Sequence, residues 1–190
     1  MSLRHAILTA LLEVPSTGLS LTRRFDRSIG YFWQATHQQV YRETAKLEAE
    51  ALIRAVPQAT PARGNPKTYE VTDEGRAELI RWVGDSEPPK PGRDALLVRL
   101  RAASVVGPGP LVDQMREHHE FHSARHAEYL AVAARDFADR ELDDVARMQY
   151  LILQAGIGLE EFWTAWLQDA ITELSQGAGS RKAAGAATAG

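Results

Sequence analysis

The stretch THQQVYRETAKLEAEA, Thr36–Ala51, decides how the rest of this chain is read. The Thr36 hydroxyl can cap a helix, and Gln39 stands three positions on, where its amide reaches back to the Thr36 backbone N–H; that capping-box spacing predicts a helix start. Val40, Thr44, Leu47 and Ala51 follow at intervals of four, three and four, a single narrow apolar stripe. The other faces carry His37, Gln38, Gln39, Arg42, Glu43 and Lys46, with Tyr41 beside them. Amides and bases at the leading end of a helix are the groups that read a major groove, since glutamine pairs with adenine, and arginine and lysine pair with guanine or phosphate. An ordinary amphipathic surface helix has the same pattern, because i, i+4 charge pairs are common. The flanking segments separate the two readings.

Upstream, Leu3, Ile7, Ala10, Leu11 and Val14 share one face and predict a helix over Leu3–Val14. Pro15, Ser16, Thr17 and Gly18 break it. A second short helix, about Leu19–Ser28, turns Leu21 and Phe25 inward and Arg23, Arg24 and Arg27 mostly outward. Gly30 ends it, and Tyr31, Phe32 and Trp33 form an aromatic link. Two short helices in this order, the second polar on its leading face, make a helix-turn-helix. Downstream, Leu52–Val56 and Thr68–Thr72 alternate as strands around a Pro-, Gly- and base-rich loop, Pro57–Lys67. That hairpin is a wing, and Arg63, Asn65 and Lys67 are its candidates for phosphate or minor-groove contact. Thr72 can cap a helix over Asp73–Val83. The fold expected is mainly α with a small β-hairpin: an N-terminal winged helix-turn-helix over 1–83, followed by a helical domain.

The segments ILTALLEVPSTGLSLTRRFD, FWQATHQQVYRETAKLEAEALI and GNPKTYEVTDEGRAELIRWV together resemble the PadR-like transcriptional regulators. The matching features are a glycine at the second helix (Gly18), a Phe-Trp before the recognition helix (Phe32 and Trp33) and a Gly-containing wing. A Thr-x-x-Gly-Arg after the wing (Thr72, Gly75, Arg76) completes the set. Leu19, Gln34 and Asn65 depart from the usual Tyr, Pro and Arg. The resemblance covers about residues 3–83, with a looser echo to residue 174. It implies DNA binding, C-terminal helices that dimerise, and repression.

The chain has 190 residues and a formal net charge of −3. Residues 1–82 hold 11 basic and 9 acidic side chains, whereas 83–190 hold 11 and 16, an asymmetry that suits one module facing a polyanion. No cysteine is present, so disulfides and thiolate metal sites are excluded. There is no run of about 18 apolar residues to cross a membrane. The first residues lack a signal-peptide cleavage pattern, and a cytoplasmic protein is expected.

Residues 84–92 (GDSEPPKPG) read as a linker. A helical dimerisation domain is expected over 93–175, with helices at Asp94–Ala103, Leu111–Asp139 and Leu142–Leu174 separated by the VGPGP breaker at Val106–Pro110. In the second of these Leu111, Met115, Leu130, Ala133 and Phe137 are apolar; in the third Gly156 and Gly158 permit close packing or a kink. Residues 176–190 read as a flexible low-complexity tail. Helices with such wide apolar faces are too few to bury themselves and call for a second copy. Phe162, Trp163 and Trp166 are candidates for that interface or for an effector pocket. His118, His122 and His126 fall at i, i+4 and i+8, a spacing that reads first as a polar or dimer-contact face and that also suits a metal or a pH-sensitive dimer; HHEFH does not match the zincin pattern, and no metal or cofactor is assigned. No nucleophile triad or phosphate loop appears, so no enzyme is expected. The partners expected are a palindromic DNA operator, a second copy of the chain and a small-molecule effector. The competing reading is a helical dimer that binds a small molecule or metal and uses its winged domain for protein contact.

Overall fold

The computed structural model describes residues 3–27, 35–56, 67–88, 92, 94–138 and 141–187. They fall into two compact units, Met1–Pro89 and Lys90–Gly190. The first contains α1 (Leu3–Glu13), β1 (Ser16–Thr17), α2 (Gly18–Arg27), α3 (His37–Ala49), β2 (Ile53–Ala55), β3 (Thr68–Val71) and α4 (Asp73–Gly84). Its core joins Ile7, Leu8, Ala10 and Leu11 of α1, Leu21 and Phe25 of α2, Val40 and Leu47 of α3, and Ile53 of β2, with Tyr69, Val71 and Leu79 packed against them. Removing this many aliphatic side chains from water is what holds three short helices together, at about 1.5–3 kcal/mol for each large side chain.

The predicted hairpin is present as the antiparallel pair β2–β3, with Ile53 opposite Val71 and Arg54 opposite Glu70. The sheet has a third strand that the sequence reading placed in a breaker. Ser16 and Thr17 pair antiparallel with Tyr69 and Thr68, in the order β1-β3-β2. Two residues carry no alternation to detect, and the strand exists because β3 offers it an open edge. Arg24 is also corrected. It turns inward and its Nη1 donates to the Ala10 carbonyl at 2.5 Å, beside the Val14 N–H that the same carbonyl accepts at 3.2 Å, while Nη2 pairs with Glu13. The aromatic link Tyr31–Trp33, with Gly30, and the wing tip lie outside the described residues.

The second unit contains α5 (Ala95–Val106), α6 (Leu111–Asp136) and α7 (Asp144–Ala187). Asp94 caps α5, its Oδ1 accepting from the Leu96 N–H at 2.7 Å, and Gly107, at φ 91°, ends it. α6 and α7 run antiparallel: Phe137 meets Tyr150, Tyr129 meets Gly156 and His122 meets Glu160. The core joins Leu96, Leu111, Met115 and Leu167, with Trp163, Trp166 and Leu174 packed against it. On α6 Tyr129 is buried and turns its ring toward α7, while Leu130, one of the apolar positions read from the sequence, is exposed. Gly156 is where that ring fits: a Cβ would stand 3.1 Å from Tyr129 Cε2. α7 continues to Ala187, past the expected end at Leu174 and through most of the stretch read as a flexible tail.

α7 carries two seams. One, formed by Ala146, Leu153, Gly156, Glu160 and Leu167, is inward. The other, formed by Val145, Met148, Ile152, Leu159 and Phe162, is exposed. Both step by threes, fours or sevens, the spacing of knobs that pack into a neighbouring helix.

Candidate nucleic-acid interface

α3 begins as its sequence predicts. Thr36 sits in extended backbone before the helix, its Oγ1 accepts from the Gln39 N–H at 3.2 Å, and Gln39 Oε1 accepts from the Thr36 N–H at 2.8 Å. Val40, Thr44 and Leu47 are buried, and the Thr44 hydroxyl donates to the Val40 carbonyl at 2.8 Å, which lets a polar residue sit in the stripe. His37, Gln38, Gln39, Tyr41, Arg42 and Lys46 are exposed. Lys46 lies 3.4 Å from Glu43 on the same helix, a loose surface pair of little energetic weight. The ring of Tyr41 lies across Gly18 at the start of α2, where any Cβ would meet Tyr41 Cε1 at 2.5 Å. Gly18 therefore leaves the place in which the Tyr41 ring lies.

Ala51 is not part of the stripe. It is exposed and takes φ 57°, a left-handed conformation that ends the helix and turns the chain into β2. The carbonyls at this corner are taken up by the start of α4. Thr72 Oγ1 donates to the Ala51 carbonyl at 2.8 Å and accepts from the Gly75 N–H at 3.1 Å, while the Thr72 N–H donates to the Leu52 carbonyl at 3.1 Å. A Cβ on Gly75 would stand 2.1 Å from the Leu52 carbonyl oxygen. The Thr-x-x-Gly spacing thus has a physical cause: the threonine caps α4 and the glycine lets α4 touch the corner after α3.

Of the wing residues singled out from the sequence, Arg63 and Asn65 lie outside the described residues. Lys67 is at the root of the wing, where its Nζ donates to Glu48 Oε1 at 2.8 Å. The Tyr69 hydroxyl donates to Glu48 Oε2 at 3.3 Å. The bond to Glu48 and its charge hold the Lys67 ammonium above the usual lysine range. Burial, then the same carboxylate, push the Tyr69 phenol up. Across the sheet, Arg54 Nε donates to Glu70 at 2.6 Å. Glu48 was not singled out from the sequence, where an acid near a polyanion reads as a residue facing away. Behind α3, buried His5 of α1 stacks on Trp82 of α4, ring centroids 4.3 Å apart and planes 8° apart, and bonds Glu78 at 3.2 Å.

In the second unit, Trp163 and Trp166 pack into the core at right angles to each other, centroids 5.6 Å apart, and exposed Phe162 meets the edge of Trp163. His122 stacks on Trp163, its Nδ1 2.5 Å from buried Glu160, which also lies 3.3 Å from Arg125; Arg125 in turn bonds the Tyr129 hydroxyl. The spacing His118, His122, His126 therefore does not bring the three together at one point. Only His122 has this carboxylate partner, and among the described residues no three metal-ligating side chains converge.

Comparison with known proteins places this geometry in a lineage. The profile of the transcriptional regulator PadR-like family matches residues 7–81, and that of the virulence activator alpha C-terminal region matches residues 92–175. The chain is 39% identical over 187 residues to the probable transcriptional regulator Rv1176c of Mycobacterium tuberculosis, covering 93% of this chain and 99% of that one. This chain belongs to the PadR-like family of transcriptional regulators. Among solved structures, the Vibrio cholerae virulence activator AphA superposes with a TM-score of 0.78 at 32% identity, covering 92% of this chain and 99% of AphA. Bacillus subtilis PadR in complex with operator DNA superposes with a TM-score of 0.76 at 24% identity, covering 90% of this chain and 98% of PadR. The same Bacillus protein has been solved in complex with p-coumaric acid. In this PadR-like chain α3 is the second helix of the helix-turn-helix pair.

Proposed function

We propose that this chain binds an operator as a homodimer, inserts α3 of each copy into successive major grooves, and represses transcription until a small-molecule effector relieves it. The observation that carries the reading is the division of α3. Its buried side is Val40, Thr44 and Leu47, and its exposed leading side offers His37, Gln38, Tyr41, Arg42 and Lys46. That exposed set is rich in hydrogen-bonding and cationic groups, the chemistry that reads base edges and holds phosphates. Thr36, Gln39, Arg63, Asn65 and Lys67 complete the proposed contact set. The outer seam of α7 supports the homodimer: Val145, Met148, Ile152, Leu159 and Phe162 are exposed on one chain and match a copy of themselves. The Bacillus relative, solved with operator DNA and with p-coumaric acid, supports the general scheme of DNA release by a small molecule, without its particular ligand. Phe162, Trp163 and Trp166 supply flat apolar surfaces for an effector to lie on. The reading needs no enzymatic step and places the protein's work on DNA, in the cytoplasm. No described helix is long and apolar enough to cross a membrane.

Selection of bound DNA from a random pool tests the reading. A palindromic consensus is expected, with half-sites about one helical turn apart and affinity that falls steeply with salt. Arg42→Ala should then cost about 1–3 kcal/mol of operator binding, or relax the preference at one base pair. Recovery of no consensus, or an Arg42→Ala protein that binds the selected site as wild type does at matched salt, would overturn the assignment of α3.

A further inference from the structure

The wing leaves the sheet between Val56, whose N–H donates to the Thr68 carbonyl at 2.7 Å, and Lys67. Lys67 and Tyr69 are two apart on β3 and its approach, so their side chains leave the same face. Both end on one carboxylate, Glu48, in the last turns of α3. Glu48 is half-buried and Lys67 exposed, so the contact is at the rim of the interface and open to a phosphate. We infer that Glu48 is a positioning residue for sequence discrimination: its carboxylate clamps the root of the wing to the recognition helix and sets the angle at which the wing meets the DNA. This rests on the DNA-binding reading above.

The physical case turns on what an acid does beside a polyanion. A free carboxylate at this place repels phosphates of every sequence alike, and removing it would tighten all DNA binding. A carboxylate that holds two groups of β3 does something further. The β2–β3 ladder spans three residue pairs, and a ladder this short has little of its own to fix its direction. Tying Lys67 and Tyr69 to α3 makes the helix and the base of the hairpin one body, so that their contacts are satisfied together only on a duplex of matching shape. Pairing also takes up part of the charge of Lys67 that would otherwise add to sequence-indifferent attraction. Both effects raise the ratio of specific to non-specific binding.

The test uses the full-length protein, its selected operator and a random duplex of equal length, at one salt concentration. Glu48→Ala is expected to lower the operator-to-random affinity ratio by about ten-fold or more, with random-duplex binding unchanged or tighter. Tyr69→Phe, which removes one of the two groups tied to Glu48 and leaves the net charge unchanged, should lower the ratio in the same direction by a smaller factor. A matched thermal unfolding midpoint for each variant separates the effect from loss of fold. The clamp is overturned if Glu48→Ala tightens operator and random duplex equally, or if Tyr69→Phe discriminates as well as wild type. A wild-type protein with no preferred sequence would overturn the DNA-binding reading and the clamp with it; a discriminating wild type with an equally discriminating Glu48→Ala overturns the clamp alone.

Discussion

In the first unit Ile7, Leu8, Leu11, Leu21, Val40, Leu47 and Ile53 all reach near-zero exposure within a single chain, whereas in the second unit Val145, Met148, Leu151 and Leu159 on α7 stay more than half exposed. The first unit closes because α1 runs behind α2, α3 and α4 and offers each of them an apolar face. The second unit has one antiparallel pair, α6 and α7, and one short helix, α5, so that among the described residues of this unit nothing covers the outer seam of α7. Under the proposed function, which places two reading helices on one duplex, that division is useful: the closed unit holds its reading surface by itself, and the open unit is stabilised by assembly.

The contrast is broken most severely on the open side. Ile152→Glu together with Leu159→Glu puts two charges on the outer seam of α7 without touching the α6 contact. The expected outcome is a monomer by sedimentation, with operator affinity reduced about a hundred-fold or more because two linked half-site contacts become one. A dimer that persists in this variant would mean that a different face assembles. On the closed side, Gly75→Ala separates packing from helix propensity. In an open helix the change would stabilise by roughly 1 kcal/mol. Here the new methyl meets the Leu52 carbonyl, and a loss of about 2–3 kcal/mol is expected in the first unit by denaturant unfolding, with the dimer intact. A gain in stability would show that the corner after α3 is loose.

The smallest effect concerns acid. The hydrogen bond from Arg81, then that from His5, hold the Glu78 carboxyl below its usual range. A carboxyl held low in the fold contributes stability that is present above the ordinary glutamate pKa and is lost as pH falls through the lowered one. Glu78→Gln should therefore lower stability at neutral pH by under about 1 kcal/mol, as befits a part-exposed pair, and the difference from wild type should close on acidification. A difference that persists unchanged at low pH would trace it to packing against Trp82 instead.

Most of this architecture was legible beforehand, and the exceptions share a cause. The capping box at Thr36 and Gln39, the stripe through Val40 and Leu47, the β2–β3 hairpin and the Thr72 cap are local, set by residues within four positions of each other or by a short alternation. What sequence reading missed depends on segments far apart. The strand at Ser16 and Thr17 exists because β3 has an edge, Arg24 turns inward because α1 ends beside it, and Tyr129 is buried because Gly156 lies opposite. Glu48 belongs to the same group. On a helical wheel it is one more surface acid, and only the fold brings Lys67 and Tyr69 to it. For the proposed contact set, residue type and exposure on α3 could be read in advance, but which of those groups are already engaged within the chain could not.

That last point bears on the capping box. A glutamine reads adenine with both ends of its amide, giving an N–H to N7 and taking one from N6. Gln39 already has its oxygen turned back to the Thr36 N–H. To read adenine it would have to let go of the cap, a loss of about 1 kcal/mol set against the 1–3 kcal/mol that a good bidentate pair supplies. On that balance Gln39 gains less from an adenine than a glutamine outside the capping box would, which makes its neighbour Gln38 the better candidate of the proposed contact set for reading one.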